Sequence, residues 1–191
     1  MTRIVLTEFI SLDGVMEEPR WTFQFERGPD LIAFKSDELF ASEALLLGRL
    51  TYQGFAQAWP SMGTDEFGKR MNAIPKYVVS STLTDAEAGW GPTTVIRGDV
   101  VSGIKKLKER EGGDLLLEGS CQLAGTLIEH GLIDDYRLVQ FPLLLGAGKR
   151  LFPDEMSEPA RLALTEAKPD RDGVMLLRYQ PAAAGSAGEE N

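Results

Sequence analysis

Leu115-Leu116-Leu117, bracketed by Gly112-Gly113 and by Glu118-Gly119-Ser120, is apolar at every position. A strand without a polar face is covered on both sides, the condition met by a parallel sheet with helices on each face. Residues 44–47, broken off at Gly48, read the same way. Residues 4–10 open the chain as a further buried strand, through Ile4, Val5, Leu6, Phe9 and Ile10. Tyr77-Val78-Val79-Ser80 behind Pro75, and the short Val95-Ile96, add two more.

Helical segments fall between these strands. Residues 30–42 carry Leu31, Phe34, Leu39 and Phe40 inward, with Asp30 placed to cap the helix. A helix from Thr51 buries Phe55, and a short one lies within residues 61–72. Residues 100–110 bury Ile104 and Leu107, and residues 120–130 bury Leu123, Leu127 and Ile128 before Gly131 ends them. The last third changes character: strands at 136–141, 162–167 and 174–179 have no helix between the final two, so an antiparallel hairpin should finish the sheet at one edge. The expected fold is α/β, a three-layer α/β/α domain over residues 1–180 with a mostly parallel central sheet. Residues 181–191 hold too little apolar surface to order and are expected to be a disordered tail. Residues 11–29, with Asp-Gly, two prolines and three aromatics, predict a long loop of the kind that carries function.

Composition narrows the chemistry. Cys121 and His130 are the only residues of their types, which leaves no intrachain disulfide and no ordinary zinc site. A formal charge of −9 opposes binding to nucleic acid through its phosphates. No apolar run reaches the ~18 residues of a membrane span, and the first residues enter a strand pattern directly, so a soluble cytoplasmic protein is expected.

Anions collect where parallel strands end and helix N-termini begin. Three junctions have that composition: Leu47-Gly48-Arg49-Leu50-Thr51-Tyr52, Val78-Val79-Ser80-Ser81-Thr82-Leu83, and Leu117-Glu118-Gly119-Ser120. Each alone is ordinary turn chemistry. Three in succession suit a dinucleotide, whose diphosphate and extra ribose phosphate need separate donors. None is the Gly-x-Gly-x-x-Gly fingerprint.

These segments, with Ser11-Leu12-Asp13-Gly14, Gly131-Leu132-Ile133-Asp134-Asp135-Tyr136-Arg137-Leu138 and Pro142-Leu143-Leu144-Leu145-Gly146-Ala147-Gly148-Lys149-Arg150-Leu151-Phe152, resemble the dihydrofolate reductase-like superfamily over residues 3–180. The resemblance is closer to the branch related to the C-terminal reductase domain of the bifunctional riboflavin-pathway deaminase/reductase. It implies a homodimer that uses NADPH to reduce a C=N or C=O bond of a flat heterocycle or a sugar. By position it assigns Arg49 with Ser80 or Ser81 to the 2′-phosphate, and Thr51, Gly119 and Ser120 to the pyrophosphate. Gly48, Tyr52 and Thr82 complete the implied cofactor set. The nicotinamide would lie against the loop of Asp13 and Gly14, with substrate between that loop and the helix after Asp30, near Trp21, Phe34 and Gln140. Two positions depart from folate enzymes: Glu118 replaces a glycine, and Val139 stands where a threonine holds the pterin. Lys149 and Arg150 are the only clustered cations near enough to receive a substrate phosphate.

Several residues keep two readings at this level. Asp13 orients nicotinamide or substrate, serves as a proton relay, or is an Asp-Gly turn; Asp30 is a substrate carboxylate or a helix cap. Trp21, Phe23 and Phe25 stack on a ligand or pack as a flap. Gly146-Ala147-Gly148-Lys149 has the wrong spacing for a phosphate loop and reads as a crossover. Cys121 reads as a small buried residue and His130 as a helix C-terminal cap. For the whole chain the alternative to a reductase is a non-catalytic dimeric binding or scaffold domain of the same fold.

Overall fold

The computed structural model describes residues 1–153, 156 and 158–183. The strands are β1 (Ile4–Ser11), β2 (Ser42–Gly48), β3 (Lys76–Val79), β4 (Thr93–Ile96), β5 (Asp114–Glu118), β6 (Asp135–Phe141), β7 (Leu162–Pro169) and β8 (Met175–Pro181). The helices are α1 (Pro29–Ala41), α2 (Arg49–Met62), α3 (Glu66–Ala73), α4 (Val100–Lys108) and α5 (Cys121–Glu129). One sheet runs β4-β3-β2-β5-β1-β6-β8-β7. Its first six strands are parallel, and β8 and β7 close it antiparallel, with β7 as the outer edge and exposed from residue 163 to 169. This is the three-layer mostly parallel fold with the terminal hairpin that the sequence predicts.

Alternation of side chains divides the core. Ile4, Leu6, Leu46, Leu115 and Leu117 face α4 and α5 with Ile104, Leu123, Leu127 and Ile128. Val5, Leu45, Leu47 and Leu116 face the opposite layer with Leu39, Tyr52, Met71 and Ile74. Among the described residues no helix is long and apolar enough to cross a membrane.

Four local details depart from the sequence reading. Helix α1 starts at Pro29 with Gly28 as its cap residue, so Asp30 lies in the first turn and is not the cap. Proline suits that first position because its missing N–H is one the helix leaves unpaired. Helix α2 starts at Arg49, two residues before Thr51. The 11–29 segment is ordered by a 3-10 turn over Pro19–Gln24 and a bridge between Val15 and Arg150. Pro181 belongs to β8 and the Ala182 N–H donates to the Arg161 carbonyl, so order reaches past residue 180. The rest of the expected tail, 184–191, lies outside the described residues.

Lys76 is buried at the start of β3, its Nζ donating to the Asn72 carbonyl at 2.8 Å and lying 4.1 Å from the centre of the Trp90 ring. Burial, reinforced by the like charge of Arg70, lowers it from 10.5 to about 8. The unfolded chain therefore holds more protons than the folded one between those values, and folding stability rises with pH across that window. Against Lys76→Met, the unmodified protein should gain up to about 1.4 kcal/mol per pH unit from pH 8 to 10.5, read by urea unfolding. Parallel pH profiles for the two proteins would refute the buried charge.

Candidate functional site at the carboxyl edge of the sheet

β3, β2 and β5 are consecutive in the sheet, so the three glycine- and hydroxyl-bearing junctions emerge side by side at its carboxyl edge. The junctions after β2 and β5 interlock. A Cβ on Gly48 would stand 2.4 Å from both Cβ and Oγ of Ser120, and one on Gly119 would stand 2.7 Å from Thr51 Cγ2 and Oγ1. Gly119 and Ser120 are both left-handed, with φ of 68° and 64°, a pairing that turns the chain sharply off β5. The Ser120 hydroxyl then caps α5 by accepting the Leu123 N–H. Helix α2 has no side-chain cap at Gly48, so the first-turn donors beside Thr51 keep no side-chain acceptor. Arg49, its first residue, is exposed and donates to Gln53 Oε1 at 3.1 Å. An uncapped helix start, an exposed guanidinium and two hydroxyl-bearing residues form a fit for an anionic nucleotide tail.

The third junction contributes less than its composition promised. Ser80 is buried and its oxygen accepts the N–H groups of Thr82 and Leu83, which shapes the turn and leaves Ser81 and Thr82 exposed. Tyr52 falls outside the site. It is wholly buried in the core, its hydroxyl accepting the Trp90 N–H at 2.9 Å and meeting Thr93 Oγ1 at 3.3 Å, because the α2 position next to Thr51 faces inward.

Between β1 and β5 the sheet opens. Their pairing ends at Thr7↔Glu118, while β1 stays paired with β6 as far as Ser11↔Phe141. Beyond the slot so formed, the Ser11 N–H turns to the Val15 carbonyl. Glu8 stands at the base of the slot, its Oε1 accepting the Gly119 N–H at 2.6 Å. Glu118 points the other way, onto the α1 face, where its Oε1 lies 3.1 Å from Lys35 Nζ. Lys35 also pairs with Glu38 and donates to Thr7 Oγ1 at 3.0 Å. The Glu118 carboxylate is thus neutralised and turned from the junction between β5 and α5.

Trp21 and Phe34 both lie on the α1 face. They join Phe9 and Phe25 around the buried core of Leu31, Val139 and Phe141, with Trp21 edge-on to Phe141 at 5.5 Å. Phe23 points to solvent. A cavity of about 160 Å³ lies alongside, lined by Asp30, Phe34, Asp37, Arg137, Lys168 and Arg178 among others. Asp30 is ion-paired to Lys168 there at 2.8 Å. Gln140 does not share this face: Val139 and Phe141 point into it, so the intervening residue projects to the opposite side, where Leu138 packs.

Asp13 is a structural brace. Its carboxylate accepts from Ser11 Oγ at 2.6 Å and from the N–H groups of Leu145 and Gly146, tying the loop after β1 to the one after β6. The Ser11 hydroxyl, then those two N–H groups, lower it to about 2, so it stands as a carboxylate at neutral pH. The crossover after β6 is pinned from the same side: Lys149 pairs with Glu17 at 2.8 Å, and Arg150 Nε donates to the Asp13 carbonyl at 3.0 Å. Cys121 is half-buried and burial raises its thiol above the ordinary value, against activation by the helix start. His130 follows α5 as its C-terminal cap residue, Nδ1 2.9 Å from the Thr126 carbonyl.

Glu8 and the Lys35–Glu38 pair escaped the sequence reading although each left a trace. Thr7-Glu8 interrupts a strand that is otherwise apolar, and Lys35 lies midway between Leu31 and Leu39 on the inward stripe of α1. A charge on a buried stripe is either paired or functional.

Comparison with known proteins returns one family for nearly the whole chain: the RibD C-terminal domain model matches residues 2–176. The uncharacterized protein YyaP of Bacillus subtilis (strain 168) is 29% identical over 185 residues, covering 93% of this chain and 94% of that protein. Among solved structures, a putative riboflavin biosynthesis protein from Shewanella sp. PV-4 superimposes with a TM-score of 0.76 at 19% identity, over 95% of this chain and 99% of that one. Dihydrofolate reductase from Enterococcus faecalis, solved with NADP(H), superimposes with a TM-score of 0.58 at 15% identity, over 94% and 96%.

Proposed function

The chain belongs to the RibD C-terminal domain family, and from that membership we propose that it is an NADPH-dependent reductase acting on a C=N or C=O bond of a flat heterocycle. The observation that carries the reading is the start of α2: a helix without a side-chain cap, led by an exposed arginine, locked against the left-handed Gly119–Ser120 turn. The dihydrofolate reductase with the same fold was solved with NADP(H). When bound, the dinucleotide supplies the hydride.

In this reading Arg49 grips the adenosine 2′-phosphate with Ser81 and Thr82, a contact suited to a guanidinium fork. Thr51, Ser120 and the first-turn N–H groups of α2 line the diphosphate. Phe34 and Trp21 offer aromatic faces to a planar substrate, and Asp30 meets its polar edge. Lys149 and Arg150 are already engaged by Glu17 and Asp13. Both side chains keep exposed donors that can also meet a substrate phosphate.

Energy transfer from tryptophan to the reduced nicotinamide reads cofactor binding directly. Arg49→Ala should weaken NADPH by about 1.5–3 kcal/mol, roughly 10- to 150-fold, and leave NADH nearly unchanged. Equal losses for the two cofactors would remove Arg49 from the 2′-phosphate site, and absence of transfer with NADPH would remove the reductase reading.

A further inference from the structure

The geometry points to Glu8 as a ligand-contacting residue of the slot between β1 and β5, where the carboxyl oxygen that Gly119 leaves free hydrogen-bonds the amide or carbonyl oxygen of a planar ring. The inference rests on the cofactor reading above, with the carboxamide-bearing nicotinamide as the ring.

The ladder itself shows how unusual Glu8 is. Leu115 N–H bonds the Arg3 carbonyl, and the same register carried four residues on would send Gly119 N–H to the Thr7 carbonyl. That N–H goes instead to Glu8 Oε1 at 2.6 Å, so a side chain intercepts the last rung and holds the two strands apart. Oε1 is thereby fixed as the acceptor, and among the described residues nothing else hydrogen-bonds to this carboxyl. The second oxygen is left to carry the proton.

The groups around Glu8 keep that proton in place. Burial raises it from 4.5 to about 8; the Gly119 N–H opposes the rise, Glu118 on β5 supports it, and on α1 Lys35 opposes and Glu38 supports it. On α5 the neighbour is Cys121, with Lys149 and Glu17 beyond it on the facing loops. Near pH 7 the slot therefore presents a neutral donor, which an uncharged amide oxygen can accept from. Above pH 8 it presents a carboxylate that repels the same oxygen and the diphosphate behind it.

The test is a pH series of NADPH binding to the full chain and to Glu8→Gln, with adenosine 2′,5′-bisphosphate as a ligand that reaches the adenylate end only. In the unmodified protein the NADPH dissociation constant should rise about tenfold per pH unit above pH 8, while Glu8→Gln, which keeps an N–H donor and cannot ionise, stays flat. The bisphosphate should show no such rise with either protein. Identical pH profiles for NADPH on both proteins would overturn the role of Glu8 and leave the cofactor reading standing. Failure of NADPH to bind either protein at any pH would overturn the cofactor reading and this inference with it. The carboxyl carbon resonance of Glu8 in the unmodified, ligand-free protein gives an independent reading: titration near 8 supports the inference, and titration near 4.5 refutes it.

Discussion

Replacing Lys35 by methionine should cost about 3–5 kcal/mol of folding stability at pH 7, the penalty for leaving buried charge without its partner. Glu38 is 1% exposed and its Oε2 has no hydrogen-bond partner among the described residues; its Oε1 faces Lys35 and accepts from Thr7 Oγ1 at 2.8 Å. Burial alone pulls Lys35 down, but Glu38 and Glu118 outweigh it and hold the ammonium above its ordinary value. Without that ammonium the Glu38 and Glu118 carboxylates lose the cation that both of them meet. Burial already raises Glu38, so it will take up a proton more readily once Lys35 is gone. The deficit should accordingly shrink when urea unfolding is repeated at pH 5, and Lys35→Met combined with Glu38→Leu should recover much of it. A loss below about 1 kcal/mol at pH 7 would show that the cluster is solvated in solution and contributes as a surface pair does.

The second large effect belongs to the interlocked junctions. Gly119→Ala places a methyl group 2.7 Å from Thr51 and forces a left-handed residue with a Cβ, at about 1–2 kcal/mol for the backbone and about 1–3 kcal/mol for the overpacking. Gly48→Ala meets Ser120 at 2.4 Å in a backbone region any residue adopts, so its cost is packing alone. Ser120→Gly should therefore rescue Gly48→Ala, whereas trimming Thr51 to alanine should restore only part of Gly119→Ala. Thermal unfolding with and without NADPH separates the fold from the site. Both glycine variants should lose cofactor binding at temperatures where they remain folded. Unimpaired binding by folded Gly119→Ala would mean that the turn has slack the geometry does not show.

The alternation of buried strands and amphipathic helices sufficed for the architecture, because side-chain period is written directly into sequence. Gly48, Arg49, Thr51, Gly119 and Ser120 were legible for a related reason: a parallel sheet sends its junctions to one edge, and residues that follow strands go there by topology. What the sequence hid depends on which neighbour a side chain meets across the sheet. Tyr52 is one residue from Thr51 yet faces the core, and Gln140 is one residue from Val139 yet lies behind the strand. Asp13 reads in sequence as a turn or as an acid with a role in the reaction, and its bracing contacts could not be seen there: Leu145 and Gly146 are 132 and 133 residues away and reach it only when β6 pairs with β1. Glu8 was concealed by the same distance, its partner being Gly119, 111 residues on.

The outer rim at β7 has a consequence for how the molecule behaves in a crowded solution. A strand with one row of N–H and C=O groups free invites another copy to add on, and repetition of that step builds fibres. Here the register shifts between Leu164 and Glu166, Glu166 and Lys168 carry opposite charges along the strand, and Pro169 ends it. Kinked and charged in this way, the rim is a poor template for sheet extension. Exchange of those two side chains for apolar ones would remove that protection without touching the junctions at the carboxyl edge of the sheet.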